Sequence, residues 1–118
     1  MENKKGVCSN SVTGESAKIT GKSIKKLTSG KACDKSKNNG FTAAQHFEAV
    51  SKIDTLYSKS HFVSSAPYRG ESDDVVCVKR YDAPFKLKSG KEAVAHITVK
   101  EYKTGEDKIY SLELIKKK

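Results

Sequence analysis

From Glu92 to Tyr102 the chain alternates between apolar and polar positions. Ala93, Ala95, Ile97 and Val99 share one parity, and His96, Thr98 and Lys100 share the other. A strand has a side-chain period of two, so the pattern predicts a strand with one core face and one polar face. Val75 to Tyr81 alternates in the same way and runs into Ala83-Pro84-Phe85, where proline cannot donate to a ladder. Lys108 to Ile115 is a third strand, entered through the turn Thr104-Gly105-Glu106-Asp107, and Ser89-Gly90 turns between the first two. Such short connections predict antiparallel hairpin neighbours. A short strand at His61 to Val63 is a fourth candidate.

Upstream the period changes. Ile24 and Leu27 lie three apart within Ile19 to Ser29, which predicts a short helix begun at Thr20 or Gly21 and stopped by Gly30. Lys31 to Lys37 can form one more helical turn. Asn38-Asn39-Gly40 is a turn signal, and Thr42 is an N-cap for the longest expected helix, Ala43 to about Ser58. Phe47, Val50, Ile53, Leu56 and Tyr57 form its apolar stripe, with His46 beside it as a partly buried, hydrogen-bonded structural histidine. Residues 1–17 hold only scattered apolar side chains and read as a flexible leader, with at most a short strand near Val12; residues 18–118 read as a single domain. Residues 59–74 are mostly loop, with His61 and Arg69 as ligand contacts. The expected fold is α+β: N-terminal helices packed on one face of a C-terminal antiparallel meander sheet of three to four strands.

Charge narrows the class of partner. The 118 residues carry a net charge of +9, almost all from lysine, since Arg69 and Arg80 are the only arginines. Such a surface attracts phosphates, anionic lipid or an acidic protein, although a solvated lysine surface alone would look the same. The three cysteines, Cys8, Cys33 and Cys77, show no C-x-x-C spacing. They read as free thiols in a reducing, cytoplasmic compartment, with Cys77 as a small core residue. No apolar run reaches the length of a membrane span and no signal peptide is visible, so no membrane association is expected. His46, His61 and His96 are too scattered for a metal centre, and no cofactor is expected.

Placing the apolar side of each strand against the helices assigns Val76, Val78, Ala95, Ile97, Val99, Leu112 and Leu114 to the covered face, with Tyr110. The open face receives Lys79, His96, Thr98, Lys100, Ser111 and Glu113. Arg80 shares the parity of the valines and is expected to emerge at the sheet edge. The open set contains the groups needed to cleave RNA without a metal. A carboxylate and an imidazole, here Glu113 and His96, can take the proton of the 2′-hydroxyl and give one to the leaving 5′-oxygen. Lys79 and Lys100 can stabilise the phosphate charge, and Thr98 and Ser111 can donate hydrogen bonds to it. No H-E-x-x-H, P-loop or G-x-S-x-G motif offers a rival chemistry.

Five segments in order, ITGKSIKKLTS, GFTAAQHFEAV, VKRYDAPF, ITVKEY and KIYSLELI, resemble the barnase–EndoU–colicin–RelE-like nuclease domains of phage head-morphogenesis (MuF-type) and large polyvalent proteins. The resemblance spans roughly residues 18–116. It implies helices followed by an antiparallel sheet, and a metal-independent ribonuclease used as a toxin or effector module of a larger polypeptide. By motif position it singles out Lys22, Ser23, Arg80, Thr98, Lys100, Tyr110 and Ser111; His96 and Glu113 come from the facing argument alone. The expected partners are RNA and an acidic immunity or antitoxin protein. The second reading is a non-catalytic basic module that binds nucleic acid or an acidic protein.

Overall fold

The computed structural model describes residues 6–68 and 74–117, apart from the side chain of Cys8. Arg69, expected as a ligand contact, lies outside them. Among the described residues the order is β1 (Gly6–Ser9), β2 (Ser16–Ile19), α1 (Gly21–Leu27), α2 (Gly30–Asn38), α3 (Ala43–Val50), α4 (Ile53–Lys59), β3 (His61–Pro67), β4 (Val75–Lys86), β5 (Glu92–Tyr102) and β6 (Asp107–Lys116). The strands form one sheet in the order β1-β2-β6-β5-β4-β3.

The expected three- to four-stranded antiparallel meander behind N-terminal helices is overturned. The sheet has six strands and is mixed, because β2 runs parallel to β6 through the pair Lys18↔Lys108. Two strands precede the helices: β1 lies in residues 1–17, expected to be a flexible leader, and β2 runs from the end of that stretch to Ile19, expected to open the first helical segment. Each is four residues long; Ser16-Ala17-Lys18-Ile19 does alternate between exposed and buried, but over too few residues to mark a strand unaided. What holds them is a buried side chain between them. Asn10 Nδ2 donates to the carbonyls of Tyr57 (2.7 Å) and Ser60 (2.9 Å), while its Oδ1 accepts from the amides of Val12 (2.9 Å) and Thr13 (2.8 Å). One amide thus builds the hairpin turn and ties it to the end of α4.

Local chemistry explains the helices. Thr20 and Ser23 form a capping box at α1, and Thr42 and Gln45 form another at α3. Gly30 does not simply end a helix: Ser29 caps a new one, its hydroxyl accepting from the Ala32 amide. The expected long helix is broken at Ser51-Lys52 into α3 and α4. There the Ser51 hydroxyl donates back to the Glu48 carbonyl at 2.7 Å, and the Lys52 amide turns to Ala49. The break leaves Phe47, expected in the core, 43% exposed, while Val50, Ile53, Leu56 and Tyr57 are buried.

The helices also do not share one face. Those buried residues of α3 and α4 lie in one core with Ala95, Ile97, Val99, Leu112 and Leu114 of the sheet. α1 adds Leu27 to that core, and the corner between α1 and α2 stands along β6, past the short pairing with β2. There the Leu114 amide donates to Ser36 Oγ at 3.0 Å and the Leu114 carbonyl accepts from Asn39 Nδ2 at 3.0 Å. Ser36 Oγ in turn donates to His46 Nδ1 (2.7 Å), and His46 Nε2 donates to the Leu27 carbonyl (2.8 Å). The carbonyl can only accept, which places the ring proton on Nε2 and leaves Nδ1 to accept from the serine. His46 is a buried stitch between α1, α2, α3 and β6.

The turns between β4, β5 and β6 follow one scheme. Gly90 (φ +93°) and Gly105 (φ +87°) take left-handed backbone, and their amides donate to Leu87 (2.8 Å) and Tyr102 (2.9 Å). This is the three-residue hairpin loop in which glycine holds the left-handed position.

Candidate functional site

Register decides which side chains meet. In β5 the residues His96, Thr98 and Lys100 alternate with the buried Ala95, Ile97 and Val99. Glu113 lies opposite His96, and Ser111 opposite Thr98. On the other side Asp82 pairs with His96, and Arg80 with Thr98. The open face of β4 is therefore Arg80 and Asp82. Its covered face carries Tyr81, Ala83 and Phe85, all buried.

This corrects the expected facing of β4. Val76 and Val78 do not lie in the core, and Val76 is exposed. The register shifts between Val75 and Cys77, so the valine end is a poor guide to the rest of the strand. Lys79, expected on the open face, points through the sheet to the other side, where its side chain is only 13% exposed and pairs with Glu101 (2.9 Å), Asp107 (3.0 Å) and Glu15 (3.2 Å). Burial pulls the Lys79 pKa down, but the hydrogen bonds it donates to these three carboxylates outweigh that and leave it above that of an ordinary lysine. Asp107 moves upward as well, because burial and its two anionic neighbours outweigh one shared cation. Lys79 is thus the counter-ion of a structural cluster. A second irregularity, between Thr98 and Val99 against β6, brings Tyr110 to the open side with Ser111 and not to the covered set.

The sequence-predicted residues consequently divide. His96, Thr98, Glu113, Ser111, Arg80 and Tyr110 share one cleft of about 420 Å³. Its floor is the open face of β4, β5 and β6, and its wall is the α1–α2 corner with Lys26, Lys31 and Lys35. Lys100 and Lys22 lie in a neighbouring cleft of about 600 Å³. Ser23 is buried and used by its capping box.

Within the cleft the polar groups are ordered. His96 Nδ1 lies 2.5 Å from Asp82 Oδ1, so Nδ1 carries the proton toward the carboxylate and Nε2 is the ring atom left for other partners. Arg80 Nη1 donates to Thr98 Oγ1 at 3.1 Å. Asn39 at the end of α2 reaches Glu113 Oε2 at 3.5 Å, near the limit of a hydrogen bond. Lys31 and Lys35 stand four apart on α2, whose first turn holds no acidic residue. Like charges at that spacing cost a helix a few tenths of a kcal/mol, as does a lysine near its N-terminus. Lys35, in the last turn, instead suits the helix dipole, so only Lys31 is placed against it; together they make the wall basic toward an anionic ligand.

Sequence reasoning missed Asp82, Lys31 and Lys35; it puts Lys26 on the outer side of the first helix, where phosphate attraction is weighed against a solvated face. Asp82 could have been found by anchoring β4 on Tyr81, Ala83 and Phe85, the better apolar alternation. The lysines depended on how α1 and α2 dock, which no local pattern records.

Cys33 and Cys77 are free thiols, with Cys33 buried and Cys77 partly exposed. No helix among the described residues is long and apolar enough to cross a membrane. No curated protein and no solved structure matches the chain. The description of large polyvalent protein-associated domain 3 matches residues 1–110, nearly the whole sequence. The chain therefore belongs to the large polyvalent protein-associated domain 3 family.

Proposed function

We propose that this domain is a ribonuclease that works by general acid–base catalysis in the His96 cleft. The observation that carries the reading is the row Asp82–His96–Glu113 across three adjacent strands, on the floor of a cleft walled by Lys26, Lys31 and Lys35. Glu113 takes the proton of the 2′-hydroxyl. The 2′-oxygen then attacks phosphorus, and the bond to the leaving 5′-oxygen breaks. His96, protonated on both nitrogens and held through Nδ1 by Asp82, gives the Nε2 proton to that oxygen. The products are a 2′,3′-cyclic phosphate and a 5′-hydroxyl. Arg80 and the wall lysines stabilise the charge that builds on the phosphate oxygens. The resemblance to barnase–EndoU–colicin–RelE-like domains favours the same chemistry and a toxin or effector role, with an acidic immunity protein as a further partner.

The test is incubation of the folded domain with total RNA and EDTA between pH 5 and 8. Fragments ending in cyclic phosphate are expected, with loss of cleavage in His96→Ala and Glu113→Gln. No cleavage at any of these pH values, or full activity in both variants, refutes the proposal. The second reading, a basic binding module, is favoured by the predominance of lysine; it predicts salt-sensitive RNA binding without turnover.

A further inference from the structure

The His96 cleft does not end at Tyr110. Tyr110 and Lys26 also line the neighbouring cleft of about 600 Å³, so the two adjoin, with Lys26 Nζ 5.6 Å from the Tyr110 ring centre at their shared border. The second cleft has a different surface. Tyr68, Tyr102 and Tyr110 converge there with Lys100 and Lys108. Lys100 Nζ lies 3.7 Å from the ring centre of Tyr110 and 4.8 Å from that of Tyr68, and Lys108 Nζ lies 4.5 Å from that of Tyr102. Burial raises the Tyr102 pKa, and Tyr68, Asp74 and Tyr110 add to the effect, which keeps the phenol neutral.

We infer that this tyrosine cleft stacks an unpaired base flanking the scissile phosphate, so that the substrate is single-stranded RNA running from the His96 cleft over Tyr110. The inference rests on the ribonuclease reading, whose substrate it narrows. Aromatic rings among lysines are the parts with which proteins hold single strands regardless of sequence. At present ammonium groups lie over the rings. A stacked base binds such a ring more strongly than a half-exposed cation does. An incoming base therefore displaces the ammonium, and the freed lysine meets the accompanying phosphate. A duplex keeps its bases stacked on each other and offers no base face to the tyrosines. An acidic protein would use the lysines and leave the rings without a role.

The test uses a single-stranded deoxyoligonucleotide carrying 2-aminopurine, which has no 2′-hydroxyl and resists cleavage. Quenching of its fluorescence reports stacking, and anisotropy reports affinity. The same oligonucleotide as a duplex and a poly-glutamate peptide are measured beside it. Quenching and roughly tenfold tighter binding of the single strand are expected. Tyr102→Leu should lose about tenfold on the single strand and nothing on the duplex, while Tyr102→Phe keeps the quenching. Tyr68→Leu replaces the first variant if its melting curve shows misfolding, and the wild-type comparison of strands stands without either. Equal binding of the duplex, tighter binding of the peptide, or undiminished quenching in the leucine variants overturns the inference. Quenching without RNA cleavage refutes the ribonuclease reading but not the stacking cleft; cleavage without quenching does the reverse.

Discussion

Ser36 is the side chain on which the wall of the cleft depends. It is fully buried, donates to His46 Nδ1 at 2.7 Å and accepts the Leu114 amide at 3.0 Å. Ser36→Ala deletes both bonds and changes little volume. It leaves a buried backbone N–H on β6 and a buried ring nitrogen without partners. An unsatisfied buried group costs about 1–3 kcal/mol, so the pair should cost about 3 kcal/mol. Unfolding entropy near 2.1 cal/mol/K per residue gives roughly 0.25 kcal/mol/K for a chain of this length. The melting temperature should therefore fall by about 12 °C. Urea denaturation followed by circular dichroism at pH 7 measures the loss. His46→Leu and the double variant complete a cycle, and a coupling of about 1 kcal/mol or more is expected. A loss below about 0.5 kcal/mol would show that the stitch between α2, α3 and β6 carries no energy, and simple additivity would show that Ser36 and His46 act independently.

Further outcomes follow from the same geometry. Asn10→Ala should cost about 2–3 kcal/mol in urea melts, because its amide links the β1–β2 turn to Tyr57 and Ser60; a neutral result would return the hairpin to the status of a loose leader. Lys79 is held charged by its carboxylates, so its contribution is complete below the ordinary lysine value of 10.5 and is lost only as pH rises through the raised folded value. Lys79→Met should cost about 2–3 kcal/mol at pH 7 by leaving Glu15, Glu101 and Asp107 unneutralised. In that variant the carboxyls gain stability by protonation, so the loss should shrink toward pH 4; equal losses at both pH values would contradict the assignment. Two open glycines should respond with opposite sign in thermal melts. Gly105→Ala meets no atom within 4 Å but loses about 1–2 kcal/mol to its φ of +87°, whereas Gly30→Ala at the start of α2 gains up to about 1 kcal/mol. Asp82→Asn should lower RNA cleavage by about tenfold, since the carboxylate holds the His96 ring through Nδ1; unchanged cleavage would leave Asp82 without that role.

The strands nearest the site were the most legible elements, because their period is local. Glu92–Tyr102 is a strand over the whole expected range, and the buried set Ala95, Ile97, Val99, Leu112 and Leu114 follows from alternation alone. His96, Thr98, Ser111 and Glu113 could be grouped for the same reason. Alternation failed in β4 because two competing apolar sets, Val76/Val78 and Tyr81/Ala83/Phe85, imply opposite facings. The longer set is the better alternation, and packing of Tyr81 against Tyr57, with ring centres 5.2 Å apart, places it in the core.

By itself, then, the sequence determined the periods, the caps, the glycine turns and the basic charge, all of which depend on residues close in the chain. Tertiary structure decided what distant segments do to one another. It recruited β1 and β2 into the sheet through Asn10, and set β2 parallel to β6. It turned Lys79 to the far face and Asp82 toward His96. It raised the α1–α2 corner into a lysine wall along β6. Those outcomes depend on register, on bulges and on edge hydrogen bonds, where the energy lies between segments and leaves no periodic trace in either one.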